Sequence, residues 1–160
     1  MSATLINQTA IIDNTWSLAE GNDIPGNGNV IVELNVFLEQ AQSLLQRGNV
    51  AVLIKGDEQP ELLAQYLDKL PLICVNFPAF TDGRGYSIAR LLRERFNYQG
   101  DIRAMGDVLL DQLFFMRRCG ISSYLLKEGL DGAKALNYLK TIGESYQTSV
   151  DIPQPLFRRR

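Results

Sequence analysis

The sequence predicts a single α/β domain built on a short parallel sheet, because strand-like and helix-like segments alternate along it. Four short apolar runs are typical of buried strands: Val50–Ile54, Leu72–Phe77, Ile102–Met105 and Ser122–Leu126. They recur at intervals of roughly 20 to 30 residues with amphipathic stretches between them, which indicates right-handed βαβ crossovers. A length of 160 residues with 46% apolar residues fits one globular domain, residues 1–160.

The two ends of the chain are predicted to be irregular. Residues 1–30 are rich in Asn, Gly and Asp, which prevents a long helix and leaves room for short strands around Thr9–Ile12 and Trp16–Ala19. These strands are expected to form a hairpin or an edge of the sheet. Residues 152–160 are expected to be an extended tail with a basic end.

Helices are predicted where apolar residues recur at helical spacing. The first begins near Leu34 and ends at Gly48 and Asn49, because these residue types favour the backbone conformation that ends a helix. The others are Pro60–Leu70, Gly85–Phe96, Asp107–Cys119 and Asp131–Ile142. A complete eight-stranded β/α barrel needs about 250 residues, so two architectures stay open: an open, doubly wound Rossmann-like sheet and half of a β/α barrel.

Composition excludes several chemistries. The sequence has no histidine, which removes Ser-His-Asp and Cys-His nucleophile systems and histidine-ligated metals. Cys74 and Cys119 lie far apart in apolar stretches, so we expect no disulfide, no metal site and a reducing cytoplasm. No flavin, nicotinamide, haem or iron–sulfur motif occurs, so no cofactor is predicted. The apolar runs are too short for a membrane span, and the start lacks a secretion-signal pattern, so we expect neither.

Charge is unevenly distributed along the chain. Residues 1–70 have a net charge of −6, whereas residues 84–118 have a net charge of +3 from seven arginines and four acids. Arginine suits the recognition of carboxylate, phosphate or sulfate, because the guanidinium is a planar fork of donors. A helix with solvated arginines is the alternative. The sequence pI of about 5.2 argues against nucleic acid as a partner.

The loop after the second predicted parallel strand is the first candidate site. Its sequence TDGRG, residues 81–85, leads into a helix. Such a loop lines the ligand crevice of a parallel sheet, and the first N–H groups of the helix point into it. Gly83 and Gly85 would let the backbone approach an anion while Arg84 supplies charge. The alternative is a tight turn with Asp82 as the helix N-cap and glycines needed only for positive φ.

Asp107 is the second candidate, because it follows the third predicted strand and precedes a helix. Capping of that helix would explain it. The functional alternative is that Asp107, Asp82 and Arg84 converge at neighbouring strand ends, where they handle protons or bind a polar ligand. Asp82 and Asp107 are therefore the candidate catalytic residues.

The end of the helix before the fourth predicted strand favours structural roles. Arg117 and Arg118 suit the negative end of the helix dipole, and Gly120 suits a left-handed cap. Cys119 is disfavoured as a nucleophile, because a helix C-terminus disfavours a thiolate. Cys74, within an apolar strand, is expected to be a core residue.

The stretch FTDGRGYSIARLLRERFNYQGDIRAMGDVLLDQLFFMRRCGI resembles a bacterial family of unknown function, the domain of unknown function nine hundred and thirty-four. Three blocks carry the resemblance: Phe80–Arg93, Gly106–Leu113 and Arg118–Gly120. The resemblance assigns the family's motif positions to Asp82, Gly83, Arg84, Gly85, Ser87, Arg90, Gly106, Asp107, Asp111 and Gln112. We expect a ligand or anion to bind at Asp82, Gly83, Arg84, Gly85, Ser87, Arg90 and Asp107.

The family has no established activity, although its members are loosely labelled probable oxidoreductases. Their genes commonly lie beside that of assimilatory sulfite reductase, so the resemblance implies a role in sulfate assimilation or sulfite reduction. Three functions stay open. The first is an accessory protein that binds an oxyanion or sulfite reductase at its strand-end loops. The second is a small enzyme that acts on a phosphorylated or sulfated metabolite. The third is a dimerising structural module whose sheet edges are covered by a second copy.

Overall fold

The computed structural model describes residues 3–79 and 83–143, and eight strands in this part of the chain form one sheet. The strands are β1 Leu5–Asn7, β2 Ile11–Ile12, β3 Trp16–Leu18, β4 Asn29–Glu33, β5 Val50–Ile54, β6 Leu72–Phe77, β7 Asp101–Gly106 and β8 Ser123–Leu125. The helices are α1 Leu34–Glu39, α2 Ala41–Arg47, α3 Arg84–Glu94, α4 Leu113–Arg118 and α5 Gly132–Gly143, with 3₁₀ helices at Pro60–Lys69 and Leu110–Gln112.

The strand order decides between the two predicted architectures. The sheet has the order β2-β1-β8-β7-β6-β5-β4-β3, so β3 to β8 are neighbours in sequence order, and each pairs with the next in parallel. A doubly wound sheet reverses its order at a switch point, and these six strands show no reversal. The α/β class is confirmed, and the sheet is the curled half-barrel with antiparallel strands β1 and β2 added at one edge.

Chain connectivity shows how strongly the sheet curls. β2 and β3 lie at opposite edges, yet only residues 13–15 separate them. An extended chain covers at most about 3.6 Å per residue, so Ile12 and Trp16 lie within about 14 Å of each other. Eight flat strands would span about 34 Å at their usual spacing. The sheet therefore curls until its edges approach, which encloses its inner face.

Alternate residues of each strand face the helices or the inside of the curl. Val52 and Ile73 face the helices and join Leu92 of α3 in the main core. A smaller cluster occupies the inner face, where the curl buries its members: Ile31, Ala51, Leu53, Leu72 and Cys74. The expectation that Cys74 is a core residue is confirmed.

A polar network lies beside this inner cluster. The side chain of Arg103 on β7 is 7% exposed, and its Nη2 lies 3.4 Å from Asp101 Oδ2. Its Nε donates a hydrogen bond of 3.0 Å to Ser123 Oγ, which donates in turn to Asp101. Because a buried guanidinium requires a counter-charge and hydrogen-bond acceptors, Asp101 and Ser123 are what permit an arginine at this position.

Three helices differ from their predicted form. The helix predicted at Asp107–Cys119 begins later, as the 3₁₀ helix Leu110–Gln112, and continues as α4, Leu113–Arg118. The predicted first helix is divided into α1 and α2, because the backbone at Gln40 has φ −129° and ψ 26°, outside the helical region. The segment Pro60–Lys69 forms a 3₁₀ helix. The predicted ends are confirmed at Gly48 and Asn49, which have φ 78° and 52°, and at Gly120, which has φ 102° after α4.

The predicted tail at residues 152–160 lies outside the described residues. Within residues 3–79 and 83–143, no helix has both the length and the apolar character needed to cross a membrane.

Candidate functional site

The carboxyl ends of the parallel strands β4 to β8 meet along one side of the sheet, here called the carboxyl edge. Charged side chains lie at or shortly after these strand ends: Glu33, Lys55, Arg84, Asp107 and Lys127. Ligands of β/α barrels, like those of open parallel sheets, bind at the carboxyl ends of the strands, because the loops and helix N-termini converge there. The carboxyl edge is therefore the candidate site.

Lys55, directly after β5, is fixed by its neighbours. Its Nζ lies 2.6 Å from Oε1 of Glu33 at the end of β4. The hydrogen bond and the negative charge of Glu33 raise the pKa of Lys55 above its usual value. The backbone N–H of Lys55 donates to Glu58 Oε1 at 2.8 Å. The Glu33 pair is partly exposed and so contributes little to stability, but it holds an ammonium group at the edge.

Arg84 is the first residue of α3 and is exposed. Its side chain reaches the loop after β5, where a Cβ on Gly56 would lie 2.8 Å from Arg84 Nε. Glycine at position 56 thus leaves the space that the arginine occupies. Arg84 is itself part of the first turn of α3, whose N–H groups form the positive end of the helix.

The two glycines of the loop do not have the predicted positive φ. Gly83 is the N-cap residue of α3 with φ −89°, and Gly85 lies inside the helix. The alternative that both glycines serve only positive φ is therefore wrong. Gly85 allows close packing, because a Cβ there would lie 2.6 Å from Phe77 Cε2.

Asp107 does not cap a helix, so the predicted N-cap role is wrong. Gly106 has φ 95°, which turns the chain so that the N–H of Asp107 donates to Phe77 O at 2.7 Å. The next helix begins only at Leu110. The carboxylate of Asp107 instead faces the neighbouring strand end, where its Oδ1 lies 2.9 Å from Lys127 Nζ.

The structure brings Arg84 and Asp107 to the same edge of the sheet. Asp82 lies outside the described residues, so its convergence with these two side chains stays a prediction. Ser87 is exposed on α3. The structure does not bring Arg90 to the edge, because it lies about 9 Å further along the helix axis.

Arg90 instead has partners of its own on the helix surface. Its Nη1 pairs with Glu94 Oε2 at 3.2 Å, one helical turn away. Its Nη2 lies 3.8 Å from the Sγ atom of Cys119. Arg90 therefore belongs to the outer surface of α3 and α4.

Sequence reasoning missed Glu33, Lys55 and Lys127. Each lies at a strand end or within two residues of one, so the position rule that selected Asp107 applies to them as well. They belong to no recognisable motif, and the partners Glu33–Lys55 and Asp107–Lys127 lie about 20 residues apart in sequence.

Both cysteines are buried, and burial disfavours the reactive thiolate form. Burial raises the pKa of Cys74 to about 12. Burial also raises the pKa of Cys119, although Arg90 and Arg118 oppose this shift. Neither side chain is more than 2% exposed.

We predict that neither thiol reacts with an aromatic disulfide reagent at pH 8 while the protein is folded, because the thiolate is the reactive species and both thiols are protonated and covered. Absorbance of the released thiol measures the labelling. Both cysteines are expected to react in urea. Rapid labelling of Cys119 in the folded protein would show that its environment is open.

The protein is a small α/β protein whose curled, singly wound sheet places ion pairs from neighbouring strand ends along its carboxyl edge. A family model described as "Bacterial protein of unknown function (DUF934)" matches residues 51–157. The chain belongs to this family, which confirms the resemblance of its motif blocks. The matched segment contains Lys55, Arg84, Asp107 and Lys127. A search of curated proteins found no match.

Proposed function

We propose that this protein binds a small oxyanion at its carboxyl edge and acts as an accessory protein in sulfite reduction. The observation that carries the proposal is the position of Arg84, which is the first residue of α3 and whose side chain lies against Gly56 in the loop after β5. Helix N-termini and arginine both favour oxyanions, by N–H donation and by charge. The connection with sulfite reduction comes from the gene neighbourhood that the family resemblance implies.

The neighbouring ion pairs support this assignment. Glu33 and Asp107 hold the ammonium groups of Lys55 and Lys127, whose side chains remain 46% and 58% exposed. An ammonium group has three donors, so each lysine can donate to a further acceptor while keeping its carboxylate partner.

We predict that Arg84→Ala weakens the binding of sulfite, sulfate or phosphate by about 5- to 150-fold, equivalent to about 1 to 3 kcal/mol for a charge-assisted hydrogen bond. Isothermal titration calorimetry measures the affinity for each anion. Arg95→Ala is the matched control, because Arg95 is exposed at the opposite end of the same helix. Equal affinities of the wild type and the Arg84 variant would overturn the site assignment.

The accessory role has a separate test. Purified sulfite reductase is titrated with the protein in the presence and absence of sulfite, and the mass of the complex is measured. Saturable association is expected. If no complex forms while oxyanion binding is retained, the accessory role is wrong and the binding site stands.

A further inference from the structure

The outer surface of α3 and α4 carries an exposed aromatic ring that oxyanion binding does not use. Phe115 on α4 is 53% exposed. Its ring is stacked on Tyr86 of α3, with centroids 5.1 Å apart and an interplanar angle of 27°. Tyr86 also packs against the buried ring of Phe77, with centroids 5.1 Å apart. Phe115 is thus held in place by contacts that lead directly into the core.

A depression of about 250 Å³ lies along α3, lined by Ser87, Arg90, Leu91, Glu94 and Arg95. Its Arg90 also contacts Cys119 at the end of α4. The depression and the exposed ring are therefore parts of one surface. We call it the α3–α4 surface and define it by Tyr86, Ser87, Arg90, Leu91, Glu94, Arg95 and Phe115.

The charge of these helices is strongly positive. Together α3 and α4 contain five arginines and one acid, Glu94. Arg93 points inward, to backbone carbonyls, whereas Arg90 and Arg95 lie at the depression. Residues 1–70, by contrast, have a net charge of −6. The depression has a net positive charge of one, from Arg90 and Arg95 against Glu94, which pairs with Arg90 at 3.2 Å.

We propose that the α3–α4 surface docks an acidic protein surface, which presents carboxylates to Arg90 and Arg95 and an apolar side chain to Phe115. Exposed aromatic and arginine side chains are the residue types that dominate protein interfaces. Complementary charge selects the partner and steers its approach. A nucleic acid fits less well, because it needs a continuous positive groove with several stacking rings, whereas the depression has two arginines and one carboxylate beside the ring of Phe115.

The test follows the backbone amide resonances of the full chain during titration with four probes of equal length. These are an amphipathic Glu/Leu peptide, a Glu/Ser peptide, a Lys/Leu peptide and an oligothymidylate. We expect the Glu/Leu peptide to give the largest saturable shifts, centred on Phe115, Leu91 and Arg90 and weakened by salt. Stronger binding of the oligothymidylate, equal binding of the Lys/Leu peptide, or no saturable shift with any probe would overturn the proposal.

Matched variants locate the binding. Phe115→Ser and Arg90→Glu are each expected to reduce the affinity for the Glu/Leu peptide about tenfold, the loss typical of an interface anchor or a reversed charge. Leu18→Ser removes another apolar side chain, 49% exposed on β3, and Lys134→Glu reverses an exposed charge on α5. Both controls should leave the affinity unchanged, and an equal loss in them would overturn the assignment.

Two further measurements distinguish a loss of docking from unfolding of the variant and from a loss of oxyanion binding. Thermal unfolding of each variant shows that the chain is folded, and Arg90→Glu tests the surface independently if Phe115→Ser is unstable. Arg84→Ala is expected to retain peptide binding while losing the oxyanion. Docking and oxyanion binding can therefore fail separately.

Discussion

Replacing Gly106 by alanine is expected to lower the free energy of unfolding by about 2 to 5 kcal/mol. The backbone there has φ 95°, a conformation that costs an L-residue about 1 to 2 kcal/mol. An added Cβ would also lie 2.4 Å from the carbonyl oxygen of Phe77 and 2.9 Å from Asn76 Oδ1. Backbone cannot move aside cheaply, so overpacking adds about 1 to 3 kcal/mol. Urea denaturation measures the change.

Gly129 provides the matched control for this prediction. It has nearly the same backbone angle, φ 91°, but nothing lies within 4 Å of the position of an added Cβ. Gly129→Ala should therefore cost only the conformational part, about 1 to 2 kcal/mol. If the two variants lose the same stability, close packing of β6 against β7 is not the reason for glycine at position 106.

Arg93→Met is expected to destabilise the fold by about 3 to 5 kcal/mol. The Arg93 guanidinium donates to the carbonyl oxygens of Gly120, Tyr98 and Gly100 at 2.9, 2.8 and 2.7 Å. It also donates to Ser122 Oγ at 3.3 Å. Methionine retains the packing of the alkyl chain but leaves these acceptors without their donor, at about 1 to 3 kcal/mol for each group that stays buried.

The side chain of Arg93 joins the end of α3 and the loop before β7, which follow each other in sequence, to the turn after α4, which is 27 residues away. Burial lowers the pKa of this arginine, but hydrogen bonds to carbonyl groups compensate for the loss of water. Arg95→Met is the control, because that side chain is exposed. The urea midpoint is expected to fall for the Arg93 variant only. A comparable fall in both variants would contradict the proposed structural role.

The buried parallel strands were the most predictable elements. β5 and β6 have the bounds that their apolar runs predict, because a strand covered on both faces is apolar at nearly every position, and Asn76 of β6 is the exception. β1 and β4 could not be bounded in this way. β1 has three residues and lies in the turn-rich first part of the chain, and β4 runs directly into α1. Their pairing partners lie elsewhere in the sequence, and local patterns do not record them.

The curl of the sheet depends on the pairing of strands that are distant in sequence. Periodicity is compatible with either an open sheet or a curled one, because both bury the same alternating residues. The decisive feature is that residues 13–15 connect opposite edges. The connection is visible only once β2 is paired with β1 and β3 with β4.

The position of the candidate site was predictable from the sequence, but the ion pairs within it were not. Arg84 and Asp107 were selected because both follow parallel strands, and both lie at the carboxyl edge. The helix cap expected of Asp107 was wrong because Gly106 directs the chain toward Phe77 before the helix begins. Its partner Lys127 belongs to the next strand end. Such a contact depends on strand order, which the sequence does not state.

Mapping the binding of sulfite to individual backbone amides by NMR tests the central claim most directly. The site at the carboxyl edge predicts saturable shifts of the amides of Arg84 to Tyr86 at the start of α3, together with Gly56 and Lys127. These shifts should disappear in Arg84→Ala. Absence of any saturable shift at the carboxyl edge, or shifts confined to Arg90 and Arg95, would contradict it.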